Sequence, residues 1–251
     1  MSKITSASET DARLDKKWNL LGSSYELPIL SDKVDKMVYE YERYWEKCWN
    51  EENVADLFRY LDGYYKLNSS EIEFFKKNGI VSVCDAGCGF GAYSLAFASN
   101  GFKVLGFDIS KTSVDITTKA LEKYGLCNTE VKVASILDTG YADGAFDGIV
   151  AHAILDHLTV RDAKSALKEL LRITRKNGLI MISFDVPEDD DFNEDHILLE
   201  DGTMQYTCEG RNGMIFHPYD WKEIEEFTKD LKVVYKADKG KRERVIILEK
   251  D

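Results

Sequence analysis

Two hydrophobic periods divide this 251-residue chain. Up to about residue 78 the apolar positions recur at three- and four-residue spacing, the pattern of helices that bury one face. After Ser31, which can serve as an N-cap, Val34, Met37, Val38, Tyr41, Trp45 and Cys48 predict a helix over 32–49. Val54, Leu57, Phe58 and Leu61 predict a second. Ile72, Phe74 and Phe75 predict a third, which begins near Ser70 and stops at Asn78-Gly79.

From Val81 onward the period changes, and short β-branched runs alternate with helical stretches. Val81–Cys84, Lys103–Asp108, Glu130–Ala134, Phe146–Ala151 and Leu179–Phe184 read as strands. Between them lie an apolar helix over 92–98, a helix capped by Ser110 and a helix over 162–175 that keeps Ala163, Ala166, Leu167, Leu170 and Leu171 on one face. This βα alternation predicts an open, mostly parallel sheet with helices on both faces.

Residues 185–217 break the rhythm. Residues 185–201 hold nine acidic residues and no Lys or Arg, which reads as a solvated loop. Two short strands, Thr203–Thr207 and Gly213–His217, follow around a Gly-containing turn. Asp220 and Glu223 form a capping box for another helix, and Leu231–Tyr235 and Arg244–Glu249 read as a final antiparallel pair. The resulting organisation is an N-terminal extension over 1–30, a helical cap over 31–78, and an α/β domain over 79–251 with an insertion at 185–217.

The chemistry concentrates where the first strand ends, in Asp85-Ala86-Gly87-Cys88-Gly89-Phe90-Gly91. Glycines there let a ligand approach the backbone at the carboxyl end of a strand, the edge at which open α/β sheets bind. Gly87, Gly89 and Ala92 formally satisfy the dinucleotide fingerprint, with Asp108 at the spacing of a ribose-binding acid. Asp85 opposes that reading, because its negative charge would face a pyrophosphate. A carboxylate suits a cofactor that carries an amine and no phosphate.

The Asp85–Gly91 run resembles motif I of the class I S-adenosylmethionine-dependent methyltransferases, and Asp143-Gly144-Ala145-Phe146-Asp147-Gly148-Ile149-Val150 resembles their fourth-strand turn. The resemblance covers about residues 79–184. It implies a doubly wound, mostly parallel seven-stranded α/β sheet with a C-terminal antiparallel hairpin, and methyl transfer from S-adenosylmethionine by in-line displacement. Asp85, Ala86, Gly87, Cys88, Gly89 and Gly91 would form the cofactor loop, Asp108 would hold the ribose, and Ile109, Ser135, Ile136 and Ala151 would complete the pocket. Ser135 stands where such sequences commonly carry an adenine-reading Asp, so that role passes to Ser135, Asp138 or backbone. His152, at the tip of the fourth strand, is the candidate catalytic residue, placed to orient a nucleophile or accept its proton. His157 reads as mainly structural.

Position suggests that the first helix and the insertion close over the transfer site. Tyr41, Trp45 and His217 would then contact the acceptor.

A net charge of −12 disfavours a phosphate backbone as partner, so a small-molecule acceptor is expected and nucleic acid is not. Five cysteines without a C-x-x-C pair argue for a reducing compartment and against a zinc site, and no metal is expected. No apolar run is long enough to span a bilayer, so a cytoplasmic protein without a membrane partner is expected. Two rivals stay open: an NAD(P)- or nucleotide-binding enzyme, and a non-catalytic S-adenosylmethionine-binding module. The sequence does not set the oligomeric state.

Overall fold

The computed structural model describes residues 40–126 and 129–251. The N-terminal extension and the first part of the 32–49 helix lie outside the described residues. Three cap helices come first: α1 (Tyr41–Glu51), α2 (Val54–Leu61) and α3 (Ser70–Lys77). Asn53 and Ser69 cap the latter two by accepting from Ala55 N and Ile72 N.

The βα alternation then runs β1 (Ser82–Ala86), α4 (Ala92–Ser99), β2 (Lys103–Asp108), α5 (Lys111–Lys123), β3 (Glu130–Val133), β4 (Phe146–Ala151), α6 (Val160–Ile173) and β5 (Thr174–Asp185). After the insertion, α8 (Trp221–Phe227), β9 (Lys232–Asp238) and β10 (Glu243–Glu249) complete the domain. The seven strands lie in the order β3-β2-β1-β4-β5-β10-β9. β10 runs antiparallel to both β5 and β9, as expected for a terminal hairpin and unlike an all-parallel dinucleotide fold. Two cores sandwich the sheet. One gathers Ile149, Leu155, Leu167, Leu170, Ile182 and Phe184, and the other Ile72, Phe75, Phe97, Val104, Met181 and Val245.

The strand order reverses between β1 and β4, so the loops after these strands splay apart and leave a crevice at their carboxyl ends. Every functional side chain described below sits on that edge or leans over it.

Two local expectations need correction. Helix α6 ends at Ile173 rather than Arg175, because Thr174 turns extended and its Oγ1 donates to the Leu170 carbonyl at 2.7 Å. The Asn177-Gly178 pair then lies inside β5, where Asn177 takes φ +57° beside an irregularity in the β4–β5 register. The acidic run is also not a plain loop. It forms α7 (Asp189–Asn193), closed by a Glu188–Asp191 capping box, and β6 (His196–Leu198). β6 joins β7 (Met204–Tyr206) and β8 (Ile215–Phe216) in a separate antiparallel sheet around buried Met204, Tyr206 and Phe216.

Candidate active site

The glycine loop is held by its own backbone. Gly87 N and Cys88 N both donate to the Phe107 carbonyl, at 2.8 and 3.0 Å, and Gly91 N donates to the Cys88 carbonyl at 2.8 Å. The loop needs glycine for space as well as for its positive φ. A Cβ on Gly87 would come within 2.1 Å of Ile154 Cδ1, and one on Gly89 within 3.1 Å of Trp49 Cζ2. Behind the loop, buried Asp85 accepts from Ser94 Oγ at 2.6 Å. Burial pushes its carboxyl up to about 6 against the opposing Ser94 bond, so this acid is poised to gain from a cation.

Asp108, at the tip of β2, ties the loop to the sheet. Its Oδ2 accepts from Gly89 N and its Oδ1 from Ser110 N, both at 2.9 Å. Each oxygen keeps a second lone pair for a hydroxyl donor. Burial holds this carboxyl above the usual range, with the two backbone donors opposing. Ile109, Ser135, Ile136 and Leu137 continue the wall, whereas Asp138 is not part of it.

These groups line a cleft of about 260 Å³. Helix α1 crosses it and supplies Tyr41, Trp45 and Trp49. The helix is pinned at its first residue and at its middle. Tyr41 OH donates to Asp162 Oδ2 at 2.9 Å and accepts from Thr159 N at 3.3 Å. Glu46 accepts from Ser110 Oγ (2.6 Å), Thr112 Oγ1 (2.7 Å) and Thr112 N (3.1 Å) at the start of α5, which holds its carboxyl down at about 2. Trp45 meets the His157 ring edge-on at 5.1 Å.

His152 lines the cleft, its ring tilted against that of Tyr93 at 4.4 Å between centroids. Its Nε2 lies 2.9 Å from Glu243 Oε2 on β10. Burial alone would lower its pKa, but the Glu243 carboxylate outweighs burial, with Asp185 and Asp156 adding, and holds it above the ordinary value. This histidine is therefore biased towards its cationic form. The next residue, Ala153, takes φ +46°, and its N–H donates to Ser183 Oγ at 3.0 Å.

Of the residues expected from sequence, Asp85, Gly87, Cys88, Gly89, Asp108, Ile109, Ser135, Ile136, His152, Tyr41 and Trp45 meet in this one cleft. Ala86, Gly91 and Ala151 stand behind its wall: Ala86 and Ala151 are fully buried, and Gly91 starts α4 in the left-handed region. His217 is elsewhere. It is buried, with Nδ1 3.1 Å from Thr203 Oγ1 and Nε2 3.3 Å from Glu223. The insertion thus supports the site from outside, through Ile215 O, which lies 3.1 Å from His157 Nδ1. Trp49 and Tyr64, two of the cap aromatics that could serve either as core or as a lid, also line the cleft; sequence reasoning passed over Tyr93, and Glu243, which only strand register brings to His152.

Residues 83–178 match the methyltransferase domain family. An uncharacterized protein of Rickettsia prowazekii is 34% identical over 104 residues, 41% of this chain and 42% of that protein. This chain therefore spans about two-fifths of that relative's length. Among solved structures, an S-adenosylmethionine-dependent methyltransferase from Methanosarcina mazei superposes with a TM-score of 0.60 at 21% identity, over 73% of this chain and 98% of that one. Residues 83–178 are thus similar to methyltransferase domains, and the sheet that contains them has the fold of that solved methyltransferase. A Burkholderia thailandensis 1,6-didemethyltoxoflavin-N1-methyltransferase, solved with S-adenosylhomocysteine, aligns with this domain and its cap at a TM-score of 0.56 and 14% identity, over 100% of this chain and 92% of that one. Among the described residues, no helix of the domain is long and apolar enough to cross a membrane.

Proposed function

We propose that the chain transfers a methyl group from S-adenosylmethionine to a small-molecule acceptor bound under α1. One observation carries this reading: the glycine loop, Asp85 and Asp108 share a single cleft with an aromatic chamber built from Trp45, Tyr64, Tyr93 and His152. The residues fit the cofactor. Gly87 and Gly89 take positive φ and pack under Ile154 and Trp49 with no room for a side chain, buried Asp85 lacks a fixed Lys or Arg partner among the described residues, and Asp108 retains acceptor capacity.

Asp85 would hold the amine, Asp108 the ribose hydroxyls, and Ile109 and Ile136 the faces of the adenine. When bound, the cofactor supplies an electrophilic methyl on a sulfonium. The protein's own contribution is placement and exclusion of water, since in-line displacement depends mainly on alignment of nucleophile and leaving group. Trp45, Tyr64 and Tyr93 would orient a flat acceptor. His152, paired with Glu243, is suited to hydrogen-bonding an acceptor oxygen.

A small acceptor is favoured because α1 roofs the site, and the net charge of −12 works against polyanions. The Burkholderia neighbour, solved with bound 1,6-didemethyltoxoflavin, gives the same direction. The test is release of S-adenosylhomocysteine when the protein and S-adenosylmethionine are mixed with a dialysable cell extract or with the retained macromolecules. Turnover with the dialysable fraction alone is expected. Turnover with the macromolecules alone would overturn the small-molecule reading.

A further inference from the structure

Three side chains of ligand type meet where β4 and β5 end. Asp156, His157 and Asp185 each place one ligand atom within 4.8 Å of the others. Asp156 is fully buried. Its Oδ2 accepts from Asp185 N at 2.8 Å, but its Oδ1 has no hydrogen-bond partner. A carboxylate oxygen buried and bare is costly unless something positive reaches it. The strain is compounded across the sheet, because Asp185 stands directly opposite Glu243 in the β5–β10 register. Like charges in that relation repel. His152 answers Glu243, while no Lys or Arg among the described residues pairs with Asp156 or Asp185.

His157 is prepared for the same task. Its Nδ1 faces the Ile215 carbonyl at 3.1 Å, and a carbonyl only accepts, so Nδ1 carries the proton. A neutral ring then keeps its lone pair on Nε2, the arrangement a metal-binding histidine adopts when its other nitrogen is fixed by a carbonyl.

We propose that Asp156, His157 and Asp185 bind one divalent transition-metal ion of the Zn²⁺ or Mn²⁺ kind. Two carboxylates and an imidazole favour such ions over Mg²⁺ or Ca²⁺, and three protein ligands leave coordination positions open to water or to an acceptor oxygen. The expectation of no metal rested on cysteine spacing, which has no bearing on an O,O,N site. The bound ion neutralises the paired acids. It also ties the ends of β4 and β5 to the insertion, since His217 N donates to the Asp156 carbonyl at 2.7 Å and Ile215 holds His157. This site does not depend on the cofactor or acceptor assignments.

The test is calorimetric titration of the full chain, stripped with a chelator and then dialysed free of it, with Zn²⁺ and with Mn²⁺ in separate runs. One ion per chain is expected for at least one metal, with a rise in the thermal midpoint on binding. Asp156→Asn and Asp185→Asn should each weaken binding by about tenfold or more and reduce the midpoint shift accordingly. Should Asp156→Asn fail to fold, the partly exposed Asp185→Asn decides alone. Absence of binding to wild type, or binding that the folded variants retain unchanged, would overturn the proposal.

Discussion

Replacing Glu46 by Ala should release the roof of the cleft while leaving its floor intact. Helix α1 has no fully buried residue, so directed contacts add to the partial burial of Tyr41, Trp45 and Trp49 in holding it. Glu46 provides three of them, to Ser110 Oγ, Thr112 Oγ1 and Thr112 N. A hydrogen bond to a charged acceptor is worth about 1.5–3 kcal/mol net, but donors near solvent can rehydrate. Only Ser110, fully buried, has its hydroxyl stranded. The expected loss is therefore about 2 kcal/mol in the docking equilibrium, which is ~30-fold in the population of the released helix.

Hydrogen exchange of the backbone amides reads this directly. Amides of residues 41–51 should exchange ~30-fold faster in the variant, with β1, β4 and β5 unchanged. The sign with pH follows from the depressed carboxyl. Docking free energy from this clamp is present above the ordinary value of 4.5 and is lost as pH falls to about 2, and Glu46→Gln should remove that dependence. Unaltered exchange over 41–51, or uniform acceleration throughout the domain, would refute the clamp.

Asp108→Ala should weaken S-adenosylhomocysteine binding by roughly 1.5–3 kcal/mol, and Asp108→Asn, which keeps one acceptor for Gly89 N or Ser110 N, by less; calorimetry that finds unchanged affinity removes Asp108 from the site. Because burial pushes Asp85 up to about 6, its charge is fully present only above that value, so affinity for the cofactor amine should fall as the solution is acidified through it. Titrations on either side of that pH should differ for wild type and agree for Asp85→Asn. Gly91→Ala places a Cβ 2.9 Å from Thr117 Cγ2 at φ +88°, and should cost about 1–3 kcal/mol of stability in urea melts.

The sheet was legible from sequence because its strands are short apolar runs set between amphipathic helices, and the final hairpin because Leu231–Tyr235 and Arg244–Glu249 carry no helical period between them. The glycine-loop wall of the cleft was legible for a related reason. Asp85, the glycines and Asp108 all lie at strand tips, where position in the sequence fixes position in space. The wall around His152 was not. Glu243 reaches His152 only through the antiparallel register that sets it opposite Asp185, and nothing in its basic neighbourhood signals this. His217 resembled a wall residue by location, yet Thr203 and Glu223 claim both of its nitrogens. β6 was hidden because the acidic run around it masks the two apolar residues, Ile197 and Leu198, that would mark a strand.

The most direct test of the central claim is calorimetric titration of the intact protein with S-adenosylmethionine, S-adenosylhomocysteine and NAD in parallel. The cleft described here should bind the first two at one site per chain and should not bind NAD, whose pyrophosphate would face Asp85. Binding of NAD with comparable affinity, or no binding of either S-adenosyl compound, would contradict it.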